Sequence, residues 1–113
     1  NSRPIRYSSW YRNYKKPTRY AYFTGTGGVL YPPNCFYKDV LKINKLKKLA
    51  PYGDDIWLNW MAKLKKKKII FSCIKNNYEH IKIIKGGLYK KNVKLNYNDF
   101  QIKNMIKEYG FPY

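Results

Sequence analysis

Residues 51–64 read PYGDDIWLNWMAKL, and the parsing of this stretch decides that of its neighbours. Pro51 and Gly53 interrupt whatever precedes them, because proline lacks a backbone donor and glycine weakens a helix. From Asp54 or Asp55 onward, Ile56, Trp57, Trp60, Met61 and Leu64 fall at i, i+1, i+4, i+5 and i+8, which puts all five on one helical face. The two aspartates then sit in the first turn, where free backbone N–H groups and the positive end of the helix dipole favour a carboxylate. The stretch therefore predicts an amphipathic helix over 54–64.

Upstream, DVLKINKLKKL at 39–49 spaces Val40, Ile43, Leu46 and Leu49 three apart among lysines, predicting a helix or two short helical turns with a solvated basic face. Downstream of KKKK at 65–68, the run IIFSC at 69–73 reads as a buried strand. Residues 20–24 alternate weakly and predict a second strand leading into glycines; Val29 to Tyr31 extend it until Pro32 and Pro33 end it. A last helix is expected from Asn98, where Asn-Asp-Phe-Gln has capping-box spacing, burying Ile102, Met105, Ile106 and Tyr109. The expected fold class is α+β: a small mixed or antiparallel sheet, with strands near 20–31 and 68–74, packed against two or three helices. Residues 1–20, with six Lys or Arg and five aromatic residues but no clean period, read as an extended basic and aromatic segment; 21–113 read as the folded portion of a single domain or domain fragment.

The chain of 113 residues holds one modest core. Its 24 Lys and Arg against six Asp and Glu give a formal net charge of +18, while 44% hydrophobic residues exclude a disordered polyelectrolyte. Such a surface attracts polyanions: nucleic acid, anionic lipid, or the phosphates of a nucleotide or lipid-linked sugar. Cys35 and Cys73 form no CxxC and stand with a single histidine, His80, so neither a disulfide framework nor a zinc site is expected, and a reduced, cytoplasmic chain is the default.

Against that basic background Asp54 and Asp55 are conspicuous. One reading makes them an N-cap and a first-turn charge; the other makes one of them a general base, ionised at a helix N-terminus and able to take a proton from a hydroxyl. Gly25, Gly27 and Gly28 match neither GxGxxG nor a phosphate-cradling GxxxxGK[ST]. They form either a bulged turn or a floor bare enough for a ligand's close approach, with Tyr31 and the two prolines stiffening one wall. Trp57 is core or a sugar-stacking platform. His80 and the pair Gly86 and Gly87 read as ordinary structural residues.

The stretch TGTGGVLYPP at 24–33, followed by LAPYGDDIW at 49–57 and an apolar helix, resembles the second, acceptor-side half of bacterial glycosyltransferase domains of the GT-A type, which serve capsule, lipopolysaccharide and general glycosylation pathways. The Tyr/Trp segment before the glycines and the start of the last helix, Asn98 to Gln101, extend the likeness. The resemblance implies transfer of a sugar from a nucleoside-diphosphate donor to a glycan or lipid-linked acceptor. It implies Gly27 and Gly28 at the floor of the site, Asp54 or Asp55 as the base, with Asp55 favoured, Tyr31 bordering the sugars, and Trp57 either packing behind the base or bordering the acceptor pocket. It also implies a cytoplasmic enzyme, in possible peripheral contact with the inner face of a bacterial inner membrane.

No Asp-x-Asp occurs in the chain. The family's nucleotide-binding half, with its Mn or Mg, is accordingly expected before residue 1. The isolated chain is expected to hold no metal or cofactor, to lack sugar-nucleotide affinity and turnover, and to self-associate or hold another chain, through strand pairing or apolar side chains near Val29 to Tyr31 and Ile69 to Phe71. Two rival readings remain. One is a basic module for single-stranded nucleic acid, opposed by the lack of any RNP, KH, zinc-finger or helix-turn-helix signature, so that no specific nucleic-acid partner is expected. The other is a scaffold lying on a membrane, supported only by the amphipathic pattern at 39–49.

Overall fold

In the computed structural model, which describes residues 6–10, 14–72, 87–88 and 90–112, the centre of the molecule is the helix over Asp54–Leu64. With Ile43–Leu49 before it and Tyr97–Tyr109 after it, the three α-helices are α1, α2 and α3 in chain order. The apolar face of α2 is spent as its periodicity predicts: Ile56, Trp57, Trp60 and Met61 are buried in one cluster with Leu49, Ala50, Ile102 and Met105. Yet Asn59, Ala62 and Lys63 are buried as well. The helix is enclosed on more sides than a surface amphipathic helix would be, because extended chain covers its polar flank.

The tryptophans satisfy their polar edges locally. Trp57 Nε1–H donates to the Val40 carbonyl at 3.0 Å, and Trp60 Nε1–H to that of Gly110 at 3.2 Å. Both bonds tie flanking loops to α2 while the rings fill the core. Leu46 and Leu49 of α1 face the same cluster, whereas Ile43 stays half-exposed.

Helix α3 begins one residue before Asn98, after Asn96 in the left-handed region at φ +56°. The expected capping box does not form, since no side chain caps the helix. Gln101 is instead fully buried and its Oε1 accepts the Tyr52 N–H at 2.8 Å, bracing the turn that launches α2; Asp99 accepts the Tyr7 N–H at 2.9 Å, which draws in the N-terminal segment. Tyr7 and Trp10 pack with Tyr22 there at centroid distances of 5.2–5.4 Å.

The expected α+β class is wrong: this is a helical domain, and the described residues contain no sheet. Their sole ladder-type pairing is one antiparallel bridge, in which Thr18 and Ile69 exchange N–H···O=C bonds of 2.9 and 2.8 Å. Residues 20–24 do alternate, with Ala21 and Phe23 buried between exposed Tyr20 and Thr24, but no strand among the described residues pairs with them. Phe23 gives both its N–H and its C=O to the side chain of Asn59. The second expected strand fails differently, for Ile70 is 67% exposed and Phe71 36%, so this end of the run lies outside the core. A short apolar run does not fix its own burial. Cys73 lies outside the described residues, as do His80 and Gly86.

Candidate functional site

The start of α2 builds the site. Asp55 lies in its first turn, and its Oδ1 accepts the Gly25 N–H at 2.9 Å across 30 residues of sequence. A Cβ at Gly25 would stand 3.2 Å from that oxygen, so the missing side chain is what lets loop and carboxylate meet this closely. One helical turn later, Asn59 Oδ1 accepts the Phe23 N–H at 3.2 Å, while Nδ2 donates to the Phe23 carbonyl at 2.8 Å and to the Asp55 carbonyl at 2.7 Å. Two side chains of one helix thus stitch down residues 23 and 25 and skip residue 24, as a neighbouring strand would.

Beyond the stitch the chain makes a 3₁₀ turn, Gly25–Gly27, closed by Gly28 N–H to the Gly25 carbonyl at 2.9 Å. Gly28 then adopts φ +83°, ψ 140°, a backbone that L side chains avoid. Apart from its chain neighbours, no atom of the described residues lies within 4 Å of where its Cβ would be. The requirement for glycine there is conformational, and the space beside it is open.

That space is a cleft of about 970 Å³ between residues 22–32 and 67–72, with Cys35 and Ala62 contributing. Tyr31 stands on its wall, tilted against Phe36 at 4.9 Å and edge-on to Phe23 at 5.6 Å. Burial first, then the charges of Asp55 and Asp54, hold its phenol above the usual tyrosine range. Burial likewise raises the Asp55 carboxyl, opposed by the Gly25 N–H and reinforced by Asp54. Asp54 itself is exposed.

Of the six residues singled out from sequence, Gly27, Gly28 and Tyr31 line the cleft. Asp55 grips the loop from behind, with Asp54 beside it, and Trp57 is 2% exposed in the core, edge-to-face with Tyr109 at 6.1 Å. Trp57 packs behind the acid pair and offers no face to a sugar. Sequence reasoning missed Asn59, whose signal was an amide between Leu58 and Trp60 on a helix otherwise rich in apolar residues. It also missed Lys63, buried with its amine pushed down to about 8 by desolvation and held 5.9 Å over the Tyr22 ring. Cys35 is a buried free thiol. No group of three His, Cys, Asp or Glu that could hold a metal ion occurs among the described residues.

The arrangement sets a half-buried carboxylate, its Oδ1 engaged by the Gly25 N–H, behind the glycine turn whose other side borders the cleft, and neither aspartate is part of the cleft lining. Comparison with known protein families, curated proteins and solved structures finds no match to the chain.

Proposed function

We propose that the chain is the acceptor-side part of a glycosyltransferase, with the cleft receiving the sugars and Asp55, beside Asp54, as the base. The observation that supports this most is the Asp55–Gly25 hydrogen bond. It joins the two stretches that carry the resemblance, TGTGGVLYPP and DDIW, at the edge of a cleft large enough for a disaccharide. In this reading the carboxylate takes the acceptor hydroxyl's proton as that oxygen attacks the anomeric carbon, and the bond from that carbon to the donor diphosphate breaks with its electron pair leaving on phosphate. The Asp55–Gly25 bond engages Oδ1 and fixes the direction of the carboxylate. In this reading a Mn or Mg ion, where the reaction uses one, would be held outside this cleft and would stabilise the leaving diphosphate.

Titration of methyl hexosides and of UDP-glucose into the isotope-labelled chain tests the reading. Amide shifts at Gly27, Gly28 and Tyr31 are expected with the methyl hexosides, and no saturable response with UDP-glucose. In the full-length product of the reading frame, Asp55→Asn or Asp54→Asn is expected to lower sugar transfer by about 10²- to 10⁴-fold, whichever is the base. Normal turnover in both variants, or no saccharide response at the cleft, refutes it.

A further inference from the structure

We propose that the mouth of this cleft docks on an anionic lipid bilayer, with Leu30, Ile70 and Phe71 entering the interface and Lys65 to Lys68 meeting the headgroups. Leu30 is 95% exposed, immediately before Tyr31 and the rigid Pro32-Pro33 pair, and Ile70 is 67% exposed. Both line the same concavity as Phe71, so three partly or largely exposed apolar side chains from two segments share one cleft. A water-exposed cluster of this kind is costly in a monomer and marks an interaction surface.

The charge around it selects the partner. Lys67 and Lys68 line the cleft, Lys65 and Lys66 are exposed beside them, and no acidic residue among the described residues contributes to the lining. The lysine run is an ordered feature, because α2 ends in a Schellman turn with Lys66 N–H bonded to the Lys63 carbonyl at 2.7 Å and Lys67 N–H to that of Ala62 at 3.1 Å. Apolar side chains ringed by lysines match an anionic membrane surface, where each lysine near the headgroups strengthens binding roughly fivefold. A second copy of the chain is disfavoured by the +18 charge that both copies would carry. Single-stranded nucleic acid would call for aromatic stacking faces, whereas the two most exposed side chains here are aliphatic. The amphipathic face of α1 is not the docking surface, since its Leu46 and Leu49 are packed in the core.

The proposal deepens the glycosyltransferase reading by naming the surface that would meet the membrane, and a vesicle assay reads that surface independently of sugar transfer. Co-sedimentation with phosphatidylcholine vesicles, with and without phosphatidylglycerol, tests it on the whole chain, with circular dichroism confirming that each variant is folded. Binding is expected only to the anionic vesicles. Leu30→Asp with Ile70→Asp, and Lys67→Glu with Lys68→Glu, are each expected to lower partitioning by about tenfold or more. Lys47→Glu with Lys48→Glu, on the exposed side of α1, is expected to change it by only about twofold. No binding to anionic vesicles, full binding by the Leu30/Ile70 variant, or an equal loss from the α1 pair would overturn the proposal. So would a dimer formed without lipid and abolished by Leu30→Asp with Ile70→Asp, which would assign the surface to a second copy.

Discussion

Two seams close this molecule around α2, and they use opposite chemistry. On one side Asn59 and Asp55 hold residues 23–25 by hydrogen bonds to backbone, with Asn59 fully buried. On the other, Asp39 is 4% exposed and gathers Lys42 at 2.8 Å, Lys45 at 3.4 Å and the Tyr109 hydroxyl, donating at 3.0 Å; Lys45 reaches on to Glu108. The first seam takes the place of a strand, since a primary amide offers a donor and an acceptor much as a peptide group does. The second clamps the turn at residues 37–42 and α1 against the end of α3 by charge. The Asn59 bonds are insensitive to pH and salt, whereas the Asp39 cluster depends on ionisation.

The comparison breaks most visibly at Asn59. Asn59→Leu strands both the N–H and the C=O of Phe23 in a buried site, and a loss of about 4 kcal/mol in urea unfolding is expected, a large share of a small domain's stability. Asn59→Asp keeps the acceptor for Phe23 N–H but turns a second acceptor toward the Phe23 carbonyl, so it should recover little of that loss. A variant as stable as wild type would show that the extended segment does not depend on this side chain.

Acid sharpens the contrast. The Lys42 ammonium, then Tyr109 and Lys45, outweigh desolvation and hold the Asp39 carboxyl at about 2, below its ordinary 3.8. The folded state therefore binds the proton less readily than the unfolded state, and the resulting stability is present above pH 3.8 and lost as pH falls toward about 2. Thermal melts through this window should show a decline that Asp39→Asn flattens and Asn59→Ala does not.

Asp55 runs the other way. Its carboxyl is raised in the folded state, so its charge costs stability at neutral pH and that cost is relieved as pH falls through the raised value. An amide oxygen can accept the Gly25 N–H equally well, while the helix dipole loses its carboxylate. Asp55→Asn is accordingly expected to lie within about 1 kcal/mol of wild type at neutral pH, with wild type gaining on it in acid. A severe loss of stability would make Asp55 a structural residue first. The smallest effect is expected at Lys66, which occupies the left-handed position of the Schellman turn at φ +57°. Lys66→Gly should stabilise by about 0.5–1 kcal/mol, read as a small rise in melting temperature.

The helices were legible because long periodic segments declare their own faces: α2 runs from Asp54 to Leu64 as its spacing predicts, and α3 differs by one residue at its start. The sheet was misread because two short apolar runs resemble strands whatever their partners are. Nothing local in residues 20–24 tells that their hydrogen bonds go to an asparagine on α2. The pairing of the glycine stretch with the aspartates was foreshadowed only by resemblance, and its physical basis, the Asp55–Gly25 bond, needs the fold. Gln101 illustrates the same limit, since its spacing from Asn98 spells a capping box while tertiary packing sends its amide to Tyr52.

The decisive observation is amide hydrogen exchange at Phe23 in the wild-type chain and in Asn59→Ala. If Asn59 replaces a strand, the Phe23 amide is strongly protected in wild type and exchanges near the unprotected rate in the variant, while the amides in the middle of α2 remain slow in both. A Phe23 amide that exchanges freely in wild type, or that stays equally slow without the Asn59 side chain, would contradict this.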